Sequence, residues 1–233
     1  MAGRPGSRTG RPPLTERRRE ATRMEIADEA VRLFVTQGVA ATTAEDIAAA
    51  AGVSTRTLWR YFRSKEECAR PLLTAGMDLI TERLRAHWRQ GGSLAQAFAN
   101  ADDPGLVVAQ HVEALRDLVR LCRDEPGLRA VWLETHFDAE AVFAGVIADG
   151  TERSERDLVV RLEAGMLNAA LRVTVEDWAL RPDDPTGPSL GESLAHALRT
   201  MTRLLDPEDP GAAAELGRKP MVHRPATDSR TGR

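Results

Sequence analysis

The stretch that decides the fold is Thr42-Thr43-Ala44-Glu45-Asp46-Ile47-Ala48-Ala49-Ala50-Ala51-Gly52-Val53-Ser54-Thr55-Arg56-Thr57-Leu58-Trp59-Arg60-Tyr61-Phe62-Arg63-Ser64-Lys65. Thr43 is placed to cap a helix, and Asp46 three residues on completes a Thr-x-x-acid capping box. Ile47, Ala48 and Ala51 give that helix one apolar face, and Ala48 is small enough for a second helix to cross closely. Gly52 stands where the chain must turn sharply, a position for positive φ that glycine takes without strain. Ser54 then caps a second helix whose Leu58 and Phe62 share the inner face. Thr55, Arg56, Thr57, Trp59, Arg60 and Tyr61 are left facing outward.

Two short helices across a tight turn, the second presenting donors, cations and aromatic rings, make a helix-turn-helix. An ordinary helical corner with a solvated face is the competing reading. A Trp beside the chain's single Tyr on that face weighs against it, because large apolar surface without a partner is disfavoured.

Leu33-Phe34 and Gly38, Thr42-Thr43, Asp46-Ile47-Ala48, Ala51-Gly52-Val53-Ser54, Thr57-Leu58, Tyr61-Phe62 and Ser64-Lys65-Glu66 together resemble the DNA-binding domain of the TetR family. The likeness spans residues 20–70 and implies that the helix over 54–62 enters the major groove. Thr55 and Arg56 fall at the family's base-contacting positions, and an Arg there suits bidentate recognition of guanine. Thr43, Thr57, Trp59, Tyr61 and Lys65 fall where the family contacts phosphates, which fixes register more than sequence. Trp59 departs from the commoner Tyr; it keeps a ring and a donor but loses the hydroxyl. The resemblance also implies a homodimer through the last two long helices, a palindromic DNA operator and a small-molecule inducer held in the helical body. The function it implies is a repressor released by that ligand, with an activator of the same type as the alternative.

Charge is distributed in keeping with one DNA-facing end. Residues 1–65 carry 12 Lys/Arg against 7 Asp/Glu, whereas residues 66–233 carry 20 against 28. A basic start on an acidic body confines attraction for phosphate to one end of the molecule. Residues 1–14, with Arg4, Arg8 and Arg11, read as a disordered basic arm. The DNA-binding domain then occupies 15–66, a ligand-binding and dimerisation domain 67–205, and a disordered tail 206–233.

Outward from the motif, the chain reads as all-α with about nine helices, since no stretch shows strict two-residue alternation. A charged stretch over 15–23 leads into a helix carrying Ile26, Ala30, Leu33 and Phe34 and stopped by Gly38. A long helix is expected after Ser64, boxed by Glu67, with Pro71 about one and a half turns in as a kink that is either a pivot or a fixed bend serving packing. Ser93 caps a short helix to Ala99, and another helix runs from Pro104. One follows Pro126 with a break near Asp138, and the last two are expected over 154–180 and 189–205. Val159, Leu162, Met166, Ala169 and Val173 stripe the first of these. Leu190, Leu194, Ala197, Leu198, Met201 and Leu205 stripe the second. Intramolecular core is one reading of both; dimer faces are favoured, because one recognition helix covers too few bases for a specific site.

Ligand candidates are polar or aromatic residues set within apolar helices: His111, Trp132, His136, Phe137, Asn168 and Arg172. The segment 125–129 resembles a sensor subgroup that accommodates acyl chains or thioesters. Catalysis is disfavoured: neither HExxH nor a phosphate-binding glycine loop occurs, and the Gly-x-Ser-x-Gly spacing at 187–191 follows no strand pattern, as a nucleophile elbow requires. A sequence-indifferent architectural DNA-binding protein would explain the arm but not the acidic body. Cys68 and Cys122 lack metal or redox spacing, no cofactor or metal is expected, and no run of about 20 apolar residues suggests a membrane span.

Overall fold

A computed structural model describes residues 14–89, 111–182 and 186–205, and every regular element among them is helical. The arm over 1–13, the short helix at 93–99, the helix start at Pro104 and the tail from Asp206 lie outside the described residues.

Helix α1, Leu14–Gln37, takes in the charged stretch as well as the periodic segment. Its Glu and Arg residues are good helix formers, so the arm expected over 1–14 already gives way to helix at Leu14. Gly38 ends α1 with φ +86°, its N–H donating to Phe34 O at 3.1 Å. Helices α2, Ala44–Ala50, and α3, Thr55–Tyr61, are joined through Gly52 at φ +65°. There the N–H of Gly52 donates to Ala49 O and that of Val53 to Ala48 O, the double closure that a left-handed residue permits.

The long helix expected from Ser64 is instead a 3₁₀ turn, Glu66–Ala69, followed by α4, Arg70–Arg89. Ser64 Oγ does accept from Glu67 N at 3.3 Å, but the Glu67 carboxylate accepts from Arg63 N rather than from Ser64 N. Pro71 is therefore the second residue of α4. Its missing N–H costs no intrahelical bond there, so Pro71 gives α4 no reason to kink in its interior, as the longer helix would have had. The change of helix type lies just upstream.

Helices α5, Val112–Asp124, α6, Pro126–Thr151, α7, Leu158–Leu180, and α8, Leu190–Leu205, complete the described body. Eight α-helices and one 3₁₀ turn thus stand among the described residues, against about nine helices expected. Helix α6 runs unbroken through Asp138, which is exposed and paired with Arg70 at 3.2 Å; no Gly or Pro is near to interrupt it. Helix α7 starts at Leu158 rather than Ser154, because Asp157 caps it by accepting from Val159 N at 2.9 Å.

One apolar core runs from Ile26, Phe34 and Leu58 through Cys68 and Leu84 to Phe143, Leu167 and Leu198. The DNA-binding unit and the body are therefore one continuous packing problem. Both thiols are free and buried in it, and burial pushes each up to about 12, which disfavours the thiolate. The terminal stripes separate cleanly. Leu190, Leu194 and Leu198 of α8 are buried in the protomer's own core, which corrects their reading as a dimer face. On α7, Val159, Leu162 and Val173 are each half exposed.

Helix α4 meets α6 at Gly150, where an added Cβ would collide with the Trp88 ring. Gly150→Ala should therefore cost about 1–3 kcal/mol of stability, read as a lower midpoint of urea unfolding. An unchanged midpoint would show that the indole simply moves aside.

Candidate DNA interface and effector cavity

Helix α3 is held by its two inner residues, Leu58 and Phe62, both buried against α1 and α2. Ser54 caps it, accepting from Thr57 N at 3.1 Å and sharing a hydrogen bond with the Thr57 hydroxyl at 2.9 Å. Arg56, Trp59 and Arg60 stand exposed, Trp59 at 47%, while Thr55, Thr57 and Tyr61 are half-buried beside them. The Arg60 guanidinium lies over the Tyr61 ring at 5.1 Å, which orders both on the outer face. On the inner side Arg23 covers the Phe62 ring at 5.7 Å.

Two residues expected at phosphates have structural partners already. Thr43 completes the capping box, its hydroxyl accepting from Asp46 N and donating to Asp46 Oδ2 at 2.7 Å. That hydroxyl and the Thr43 backbone N–H hold the Asp46 carboxyl below the usual carboxylate range. Lys65 Nζ donates to Val39 O at 2.6 Å and to Thr42 O at 2.9 Å, closing the turn between α1 and α2. An ammonium has three N–H donors, so one remains for an outside oxygen. Lys65 is thus a tie within the DNA-binding unit as well as a cation on its edge.

The second feature is a cavity in the body, about 660 Å³ of space free of protein atoms counting its mouth. Its wall is apolar: Leu72, Leu73, Met77 and Ile80 from α4, Leu115 from α5, and Leu171, Val175, Leu190 and Leu194 from α7 and α8. Of the six ligand candidates, His111, Trp132 and His136 line it. Asn168 lies behind His136, with Oδ1 at 2.7 Å from His136 Nδ1. Arg172 is turned to the Glu176 carboxylate, which also accepts from Trp132 Nε1 at 2.9 Å. Phe137 is 76% exposed and faces away from the cavity, which corrects its inclusion. It stands on the outer side of α6, one position from the inward His136. None of residues 125–129 lines the cavity either; Gly127 packs against the Glu66 side chain.

Sequence reasoning missed most of the wall, because it sought polar residues in apolar helices while the wall itself is apolar. It also missed Asp28, whose Oδ1 lies 3.0 Å from His111 Nδ1 and joins α1 to the cavity wall. Glu176 was findable, since Arg172 and Glu176 have the i, i+4 spacing of a helical ion pair.

Among the described residues no helix is long and apolar enough to cross a membrane, and no cluster of three or more His, Cys, Asp or Glu gathers for a metal. Residues 26–71 match the family described as bacterial regulatory proteins, tetR family, and residues 93–206 match the MftR C-terminal domain. The chain is 30% identical over 210 residues to the HTH-type transcriptional regulator TcmR of Streptomyces glaucescens, covering 84% of this chain and 88% of that one. It is 31% identical over 192 residues to an HTH-type transcriptional regulator of Mycobacterium tuberculosis, covering 82% and 78%. Among solved structures, FadR of Thermus thermophilus, a TetR-family repressor in complex with lauroyl-CoA, aligns at TM-score 0.48 and 25% identity, covering 81% of this chain and 97% of that one. The family match and the relatives identical at 30% or more over most of their length place the chain in the TetR family of DNA-binding transcriptional regulators.

Proposed function

We propose that this chain is a repressor that binds a palindromic operator as a homodimer and leaves it when a small molecule fills the cavity. The observation that carries the reading is the double duty of α4. Its first turn packs with the buried 3₁₀ turn of the DNA-binding unit, and Leu72, Leu73, Met77 and Ile80 further along form one side of the cavity. A ligand that fits best when α4 is displaced lowers DNA affinity by the difference between its affinities for the two states. In this reading 15–66 reads DNA, 67–205 senses and dimerises, and the arm 1–14 and tail 206–233 flank them. Selection of bound DNA sequences, followed by operator binding with and without a ligand found by thermal shift, tests the whole.

At the DNA, Arg56, Thr55 and Arg60 read or border base edges, and Thr57, Trp59, Tyr61 and Lys65 hold the backbone. The exposed cations and rings of α3 support this, and Thr43 contributes chiefly by capping α2. Arg56→Ala should lose about 1–3 kcal/mol of operator binding and relax specificity at one position in each half-site. Full affinity for the best operator in a titration of that variant would remove Arg56 from base recognition.

The dimer face is assigned to α7. An exposed stripe of Val159, Leu162 and Val173 on a long helix is costly to leave in water and self-complementary across a two-fold axis. Leu162→Glu with Val173→Glu should leave a folded, helical monomer that has lost operator binding, since both positions are half exposed in the protomer. Sedimentation of the variant decides it: an intact dimer would place the interface elsewhere.

A second route from cavity to DNA runs through His111, which lines the cavity and bonds to Asp28 on α1. His111→Leu should keep operator binding but cut the ligand's effect on it, by about fivefold or more if this bond carries much of the coupling. The same ratio of affinities with and without ligand in both proteins would show the contact to be packing alone.

A further inference from the structure

Resting on the reading of this cavity as the effector site, we infer that it selects an uncharged, largely apolar molecule bearing one hydroxyl or phenol that donates to His136 Nε2. His136 is buried at 4% exposure in the cavity wall. Its Nε2 is sealed from water in the empty cavity and has no hydrogen-bond partner, so a ligand reaches it only with a local shift of the wall; no other described residue of the wall has such an orphaned side-chain atom. A native buried polar atom left unpaired calls for a partner.

The hydrogen bonds behind the ring fix what that partner must be. Asn168 Nδ2 donates to His136 O at 3.0 Å and to Glu140 Oε1 at 3.1 Å, which sets the amide's orientation. Asn168 Oδ1 therefore faces the ring, 2.7 Å from Nδ1, and an amide oxygen only accepts. The ring proton sits on Nδ1, and Nε2 presents a bare lone pair. Burial lowers the imidazole's pKa, against a smaller upward pull from Asn168, so the ring stays neutral and Nε2 stays an acceptor. A ligand carbonyl, ether or carboxylate offers it nothing; an O–H completes it.

Charge is selected against by the rest of the wall. No Lys, Arg, Asp or Glu lines the cavity among the described residues. The Trp132 indole N–H is spent on Glu176, and the Arg172 guanidinium is held by both oxygens of the same carboxylate. An anion entering here would lose its hydration without a fixed counter-charge, the wall's other imidazole, His111, being already paired with Asp28. Water is a poor occupant at Nε2 too, because a buried water makes about three hydrogen bonds and the orphaned atoms of the wall supply one.

Three probes of one shape test this on the full chain by calorimetry: 2-naphthol, 2-methoxynaphthalene, which lacks the O–H, and 2-naphthoate. In the unaltered protein 2-naphthol should bind about fivefold tighter than the methyl ether, as one net hydrogen bond allows, and the carboxylate weakest of all. His136→Phe, which keeps the ring and removes the acceptor, should erase the preference for naphthol. Because that change also strands Asn168 Oδ1, nitrogen NMR of the unaltered protein supplies an independent reading. The His136 Nε2 resonance should be that of an unprotonated nitrogen, and should move on addition of naphthol but not of the ether. An Nε2 that carries the proton, or equal binding of ether and naphthol, overturns the inference while leaving the cavity as an effector site. Binding of none of the three overturns both.

Discussion

Helix α4 has to satisfy two packing environments at once, and the rest of the structure depends on that constraint. At its start, Cys68 and Ala69 of the preceding 3₁₀ turn are sealed into the core with α1, so the helix cannot shift without the DNA-binding unit feeling it. Farther along, Leu72, Leu73, Met77 and Ile80 form the side of a cavity that other helices close only in part. Packed interiors respond to a filled void by discrete rearrangement rather than smooth compression. A helix fixed at one end and bordering a void at the other is the lever such a rearrangement needs. The ion pairs of Arg70 with Glu134 and Asp138 add a polar fastening between α4 and α6 at this same point.

The helix-turn-helix was legible because every signal for it is local. Thr43 with Asp46, the glycine at position 52, the cap at Ser54 and the inward pair Leu58 and Phe62 lie within a few residues of what they act on. The structure reproduces each of these contacts. Residues farther along the chain reveal the limit of such reading. An apolar stripe states that a face is covered, not by what, and so α8, whose Leu190, Leu194 and Leu198 lie in the chain's own core, looked the same as α7, whose Val159, Leu162 and Val173 are half exposed. Pro71 misled for a related reason: proline inside a helix kinks it, proline in the first turn does not, and the two differ by a boundary shift of a few residues.

The cavity was the least legible part, since its wall is assembled from α4, α5, α6, α7 and α8 and no segment encodes it alone. Searching for rare polar residues found His111, Trp132 and His136, which are in the wall, and Phe137, which is not. What distinguishes His136 from an ordinary buried histidine is the pairing behind it, with Asn168 more than thirty residues away in sequence. That relation exists only in three dimensions. Lys65 teaches the complementary lesson, for a cation expected at phosphate is also the clasp of the turn that presents α2.

Regulation of this kind requires coupling between cavity and DNA. By linkage, a ligand that weakens operator binding by a given factor must itself bind the operator-bound protein more weakly by that same factor. Ligand affinity measured by calorimetry on the free protein and on the protein saturated with operator tests this most directly. Equal factors in the two directions are predicted. A ligand that enters the cavity with the same affinity whether or not the operator is bound would contradict the account.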